Sequence, residues 1–142
     1  MDERLRQSLA LHGAITLFLG LAAGFPLALV ILGDLGGEAR AWGMAHMEGV
    51  TNGLLLWAVA GIGPVLRLGA RTQRVMVWAL VLTAYGNALA SILGAIADVR
   101  GLEPGHGLAN TIAYVVYMAA IVAVFAAVAL IARGAAPRSA DA

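Results

Sequence analysis

PGHGLANTIAYVVYMAAIVAVFAAVALIA, residues 104–132, contains no charged side chain. A helix crosses the ~30 Å hydrocarbon core with roughly 20 mostly apolar residues, so this stretch is long enough to span a bilayer. Three others match it. Gln7–Gly33 and Val75–Ala97 carry no charge, and Ala41–Leu66 carries a single acid, Glu48. The 142-residue chain is 61% hydrophobic and 12% charged, which leaves too little polar surface to coat four soluble helices. The reading is therefore all-α: one integral membrane domain over 1–142, a four-helix bundle with helices near 8–33, 41–66, 75–98 and 106–132, and a disordered tail over 134–142. Short links make consecutive helices antiparallel neighbours in an up-down bundle.

The first apolar run is longer than a signal-peptide core of roughly 7–15 residues. It also holds Gly24 and Pro26, which membrane helices tolerate. We read it as a retained helix. All nine basic residues are arginine, and seven of them (Arg4, Arg6, Arg67, Arg71, Arg74, Arg133, Arg138) fall on one side of an up-down bundle. Only Arg40 and Arg100 fall on the other, so the positive-inside rule places both termini in the cytoplasm. A net charge of +1 without a basic run leaves no nucleic-acid footprint. The absence of cysteine excludes disulfides, cysteine-held iron–sulfur clusters and thiolate haem ligation.

A polar side chain in lipid needs a partner or a purpose. The second span concentrates them: Ala45-His46-Met47-Glu48-Gly49-Val50-Thr51-Asn52-Gly53. At about 100° per residue, His46, Gly49, Val50 and Gly53 share a face. Two glycines beside a histidine leave a shallow trough against which a flat ligand could lie. The same Gly-x-x-x-Gly spacing commonly serves close helix packing. Glu48 and Asn52, four apart, share a different face. In the third span Thr83, Asn87, Ser91, Gly94 and Asp98 form a polar strip, with Tyr85 on another face. His12 lies near the cytoplasmic end of the first span, Thr111, Tyr114 and Tyr117 punctuate the fourth, and His106 falls in an exposed loop.

One intramembrane histidine beside glycines suits an axial haem ligand better than a zinc site, which wants three or four protein ligands. His12 and His46 belong to antiparallel helices and should lie near opposite faces, so bis-histidine ligation within one subunit is not expected. A five-coordinate haem with an open position would act as a Lewis acid or oxygen-binding centre.

These residues resemble the helix 2 motif of hydroxylaminobenzene mutases, and more distantly that of styrene oxide isomerase. His12-Gly13 and Tyr85-Gly86-Asn87 are similar to that family too. The resemblance spans nearly the whole chain. It implies a membrane-embedded isomerase of small aromatic substrates in the cytoplasmic membrane of a bacterium. It further implies ferric haem b held by His46 as axial iron ligand, with Gly49 and Gly53 against the cofactor. The expected assembly is a homotrimer with haem between subunits, and Asn52 would line the substrate pocket. The epoxide isomerase carries an aspartate and a tyrosine on helix 3 where this chain has Thr83 and Ser91, whereas Glu48 and Tyr85-Gly86-Asn87 favour the mutase branch. That branch converts an arylhydroxylamine to an aminophenol; the alternative is an aryl epoxide, such as styrene oxide, rearranged to an aldehyde. A carboxyl taken out of water favours its protonated form, so Glu48 is the candidate proton donor. Asn52 is a candidate hydrogen-bond donor, and Tyr85 and Asn87 would orient the substrate. Two other classes share these residues. Glu48 and the helix 3 strip could form the path of a small proton-coupled transporter, or His46 could serve an electron-transfer subunit.

Overall fold

The computed structural model describes residues 1–137. Among these, four α-helices follow one another: α1 (Glu3–Leu32), α2 (Ala39–Ile62), α3 (Ala70–Ala97) and α4 (Leu108–Ala135). A 3-10 turn, Gly63–Val65, joins α2 to α3. The helices differ from the charge-free spans at their ends because a helix does not stop where the membrane does. α1 starts at Glu3 because the Asp2 side chain accepts from Arg4 N at 2.8 Å and caps it. α3 starts at Ala70, so Arg71 and Arg74 are helical. α2 stops at Ile62, just ahead of Pro64, which cannot continue the helical ladder. α4 runs on to Ala135, so the first residues of the expected disordered tail are helical: Gly134 is buried against Leu68 and its carbonyl accepts Arg67 N at 2.9 Å. The remainder of that tail, 138–142, lies outside the described residues.

α1, α3 and α4 are long and apolar enough to cross a membrane. Their outer surfaces suit nothing but lipid: Phe18, Phe25, Val122 and Phe125 are 69–75% exposed. This is an integral membrane helical bundle. α2 is also long enough, its 24 residues giving about 36 Å of helix. It falls short in apolarity because Arg40, His46, Glu48, Thr51 and Asn52 all sit on it.

α1 and α2 pack along most of their length. Their buried positions explain why. On α1 these are Leu9, Gly13, Thr16, Gly20 and Ala23, and on α2 Ala45, Gly49, Asn52, Leu56 and Val59. Steps of four and three repeat every 3.5 residues, the pattern of helices that cross at a shallow angle and stay in contact. α3 touches α1, α2 and α4 and is the central helix, with 56% of its apolar window buried against 17% for α1 and α4. α4 packs chiefly on α3 through Ala113, Ala120, Ala123 and Ala127.

The start of α1, the α2–α3 connection and the end of α4 meet at one end of the bundle. Arg6 Nε donates to Ala60 O at 3.2 Å, Asp2 N to Gln73 Oε1 at 2.9 Å, and Arg67 N to Gly134 O at 2.9 Å. Arg40 and Arg100 belong to the other end, as the up-down order requires.

At that other end one side chain organises the α3–α4 connection. Asn110 Oδ1 accepts Gly101 N at 2.8 Å, and its Nδ2 donates to Glu103 O at 2.8 Å and Gly105 O at 2.9 Å. Gly101 takes a φ of 62° and lies so close to α4 that a Cβ would stand 2.8 Å from the Ala113 Cβ. We expect Asn110→Ala to cost roughly 2–3 kcal/mol, since three bonds to a 5% exposed amide are lost together. A thermal melt in detergent reads this as a drop in Tm; an unchanged melt would show that α4 orders the loop without its clamp.

Candidate functional site

α2 presents two chemically distinct edges on either side of an exposed stripe formed by Met44, Met47, Thr51 and Leu54. His46 stands on the edge facing α1. Its Nδ1 lies 2.9 Å from Gly20 O, and because a carbonyl only accepts, Nδ1 carries the hydrogen. Nε2 is then the lone-pair nitrogen. It makes no hydrogen bond among the described residues, yet no polar side-chain atom there is both buried and unpartnered. Nε2 is therefore accessible at the subunit's own surface. Gly24 lets the imidazole fit, since a Cβ there would come 3.1 Å from Nδ1.

A histidine fixed through Nδ1 on a backbone carbonyl, with Nε2 free, is the arrangement of a metal-ligating imidazole. No group of three or more His, Asp or Glu that could hold an ion occurs among the described residues. The donor set thus fits a group that brings most of its own ligands and takes one from the protein, as a haem does.

Glu48 and Asn52 stand on the opposite edge. At about 100° per residue, Glu48 points about 160° away from His46 around α2. Asn52 Nδ2 donates both to Glu48 O at 2.8 Å and to Glu48 Oε2 at 2.9 Å, which ties the carboxylate to its own helix. Asn52 is buried and Glu48 half-buried.

Above Glu48, towards the Arg40 end, α2, α3 and α4 part to leave a cleft of about 630 Å³. Met44, Ser91, Gly94, Ala95 and Tyr117 line it, and Glu38, Arg40, Asp98 and Arg100 rim it. Ser91 Oγ and Tyr117 Oη are 2.8 Å apart across α3 and α4. Glu48 sits one turn beyond Met44 on α2. Asn87, one turn from Ser91, is half-buried and bonds nothing among the described residues.

Of the residues singled out in the sequence, Glu48 and Asn52 come together as their spacing requires. Tyr85 does not join them. Its hydroxyl lies 3.1 Å from His12 Nδ1, bridging α1 and α3, and its ring meets that imidazole edge-on at 5.6 Å. His12, expected near the cytoplasmic end of its span, is part of this interhelical pair. The trough beside His46 is filled. A Cβ on Gly49 would run into the Gly20 backbone, and one on Gly53 would stand 2.7 Å from Leu17 N. Both glycines thus serve contact with α1 rather than an open ligand surface in this subunit. Thr83 donates to Ala79 O at 2.9 Å and Ala120 O at 3.2 Å, a packing role. His106 is exposed and pairs with Glu103 at 3.2 Å. Sequence reasoning missed the Ser91–Tyr117 pair, which no spacing within one helix reveals.

The chain is thus a helical membrane bundle with a surface-facing imidazole on one edge of α2 and a carboxylate–amide pair on the other. The chain belongs to the styrene oxide isomerase family, whose model matches residues 5–136. That membership makes isomerisation its class of chemistry. Among curated proteins, none matches it.

Proposed function

We propose that this protein is a haem b-dependent isomerase that rearranges a small aromatic substrate, converting an arylhydroxylamine to an aminophenol. The observation that carries the reading is His46, whose Nδ1 is committed to Gly20 O while Nε2 faces outward. His46 would hold ferric haem as its axial ligand. When bound, such a group supplies Lewis acidity toward the oxygen of the substrate's weak N–O bond.

The chain's own residues supply the rest. Glu48, half-buried and tethered by Asn52, holds a proton at Oε1, the carboxyl oxygen not engaged by the amide. Asn87 offers an unpaired amide that orients the substrate. The cleft between α2, α3 and α4 would admit a small aromatic molecule, with Met44 and Ala95 on its walls. A rearrangement that moves oxygen from nitrogen to carbon must also relocate a proton, and a carboxyl–amide pair is equipped for that. The family match supports a second reading, an aryl epoxide opened to an aldehyde.

His46 and Glu48 flank the exposed stripe of α2, so both edges are completed by whatever covers that stripe. α2 alone of the four helices is not apolar enough to count as a membrane span by composition, as expected of one shielded by protein. This supports a homotrimer in which haem sits between neighbours. The positive-inside rule places the arginine-rich end of the bundle in the cytoplasm.

Absorption spectra of detergent-purified protein expressed with haem precursor, wild type beside His46→Ala, test the reading. We expect a Soret band in the wild type that His46→Ala loses, with turnover of phenylhydroxylamine lost in parallel. Folded wild-type protein without a Soret band would sink the haem mechanism.

A further inference from the structure

Tyr117 is the phenol of the cleft. Of the three tyrosines in the chain, Tyr85 is engaged with His12 and Tyr114 lines no part of the cleft. Tyr117 projects from α4 into the space between α2, α3 and α4, half-buried, with its hydroxyl 2.8 Å from Ser91 Oγ. Ser91 is only 3% exposed. A buried serine hydroxyl has one hydrogen to give, and Tyr117 Oη is the acceptor in reach. When Ser91 donates, the phenolic hydrogen is left without a protein acceptor and is free for a molecule in the cleft. Gly94 and Ala95, one turn further along α3, also line that space.

Resting on the isomerase reading, we propose that Tyr117 is a catalytic residue that donates its phenolic hydrogen bond to the oxygen of the aromatic substrate, with Ser91 as the positioning residue that aims it. The phenol is a donor held in place by its bond to Ser91. It stabilises charge that develops on oxygen as the weak bond opens, and it does so without reorganising. The helix 3 hydroxyl alone is too short to do this, but it sets the rotamer of a longer side chain on the neighbouring helix.

The test compares wild type with Tyr117→Phe, Ser91→Ala, Ser91→Thr and, as a phenol outside the cleft, Tyr114→Phe. One readout is kcat and KM for phenylhydroxylamine and styrene oxide. The other is binding of benzyl alcohol, an unreactive aromatic with one oxygen, by saturation-transfer NMR in detergent. Tyr117→Phe is expected to lower kcat about 100-fold with little change in KM, and to weaken benzyl alcohol about tenfold. Ser91→Ala should lose roughly tenfold in kcat, and Ser91→Thr, which keeps the hydroxyl, should recover most of it. Wild-type kcat and wild-type benzyl alcohol affinity in Tyr117→Phe would overturn the proposal. A wild type that turns over neither substrate removes the proposed reaction, and the binding comparison still decides whether Tyr117 grips the oxygen. If Tyr117→Phe does not fold, the Ser91→Ala and Ser91→Thr pair decides, with equal behaviour of the two counting against the pair.

Discussion

Gly49→Leu yields no folded protein. At Gly49 the α2 backbone meets the α1 backbone directly, and a Cβ there would run into Gly20 Cα and N. The contact is reciprocal, since a Cβ on Gly20 would stand 2.6 Å from the Gly49 carbonyl carbon. No rotamer relieves such a clash because backbone, not a side-chain tip, stands in the way. Even Gly49→Ala must push the helices apart, at about 3 kcal/mol or more. Separating them also withdraws Gly20 O from His46 Nδ1 and releases the imidazole that the packing holds. Size-exclusion chromatography in detergent checks this, with Gly61→Ala as control. Nothing lies within 4 Å of a Cβ at Gly61, so that substitution should be neutral or stabilise the helix by about 0.5–1 kcal/mol. A monodisperse Gly49→Leu protein would mean that α1 and α2 do not need this close approach.

The same glycines show why the sequence was legible up to a point. The four helices follow from charge-free runs, because the cost of a charge in lipid writes the spans into the chain one residue type at a time. The Glu48–Asn52 pair follows from spacing alone, since four residues on one helix always meet. What Gly49 and Gly53 face is a different matter. Their pattern on α2 reads equally as room for a ligand and room for a helix. The deciding residues, Gly13, Gly20 and Gly24, lie on α1 and matter only once the antiparallel register is known. Ser91 and Tyr117 are 26 residues apart, and their contact depends on how α3 and α4 slide against each other. Tyr85 shows the same limit: its motif says nothing of His12, 73 residues away, whose Nδ1 lies 3.1 Å from its hydroxyl.

Glu48→Gln separates proton transfer from everything else this carboxylate does. Glutamine keeps the length, the helix propensity and an oxygen that accepts the Asn52 Nδ2 bond now measured at 2.9 Å. The fold and the Soret band are therefore expected to persist, and only the transferable proton is gone. With phenylhydroxylamine as substrate, kcat should fall by about 10²–10⁴, the range carried by a positioned general acid or base. KM should change little, because the amide still fills the site. Glu48→Asp, which keeps the acid but shortens its reach, should recover part of the rate. With styrene oxide the loss should be smaller, under roughly tenfold, a range short of what a general acid contributes. There the hydrogen moves between carbons of the substrate, and no proton need come from the protein. Product formation from both substrates across Glu48→Gln thus ranks the two chemistries. A large loss confined to the hydroxylamine identifies Glu48 as the acid of an N-to-C oxygen migration. Full turnover of phenylhydroxylamine by Glu48→Gln would remove Glu48 from the chemistry and leave the carboxylate as a tie between turns of α2.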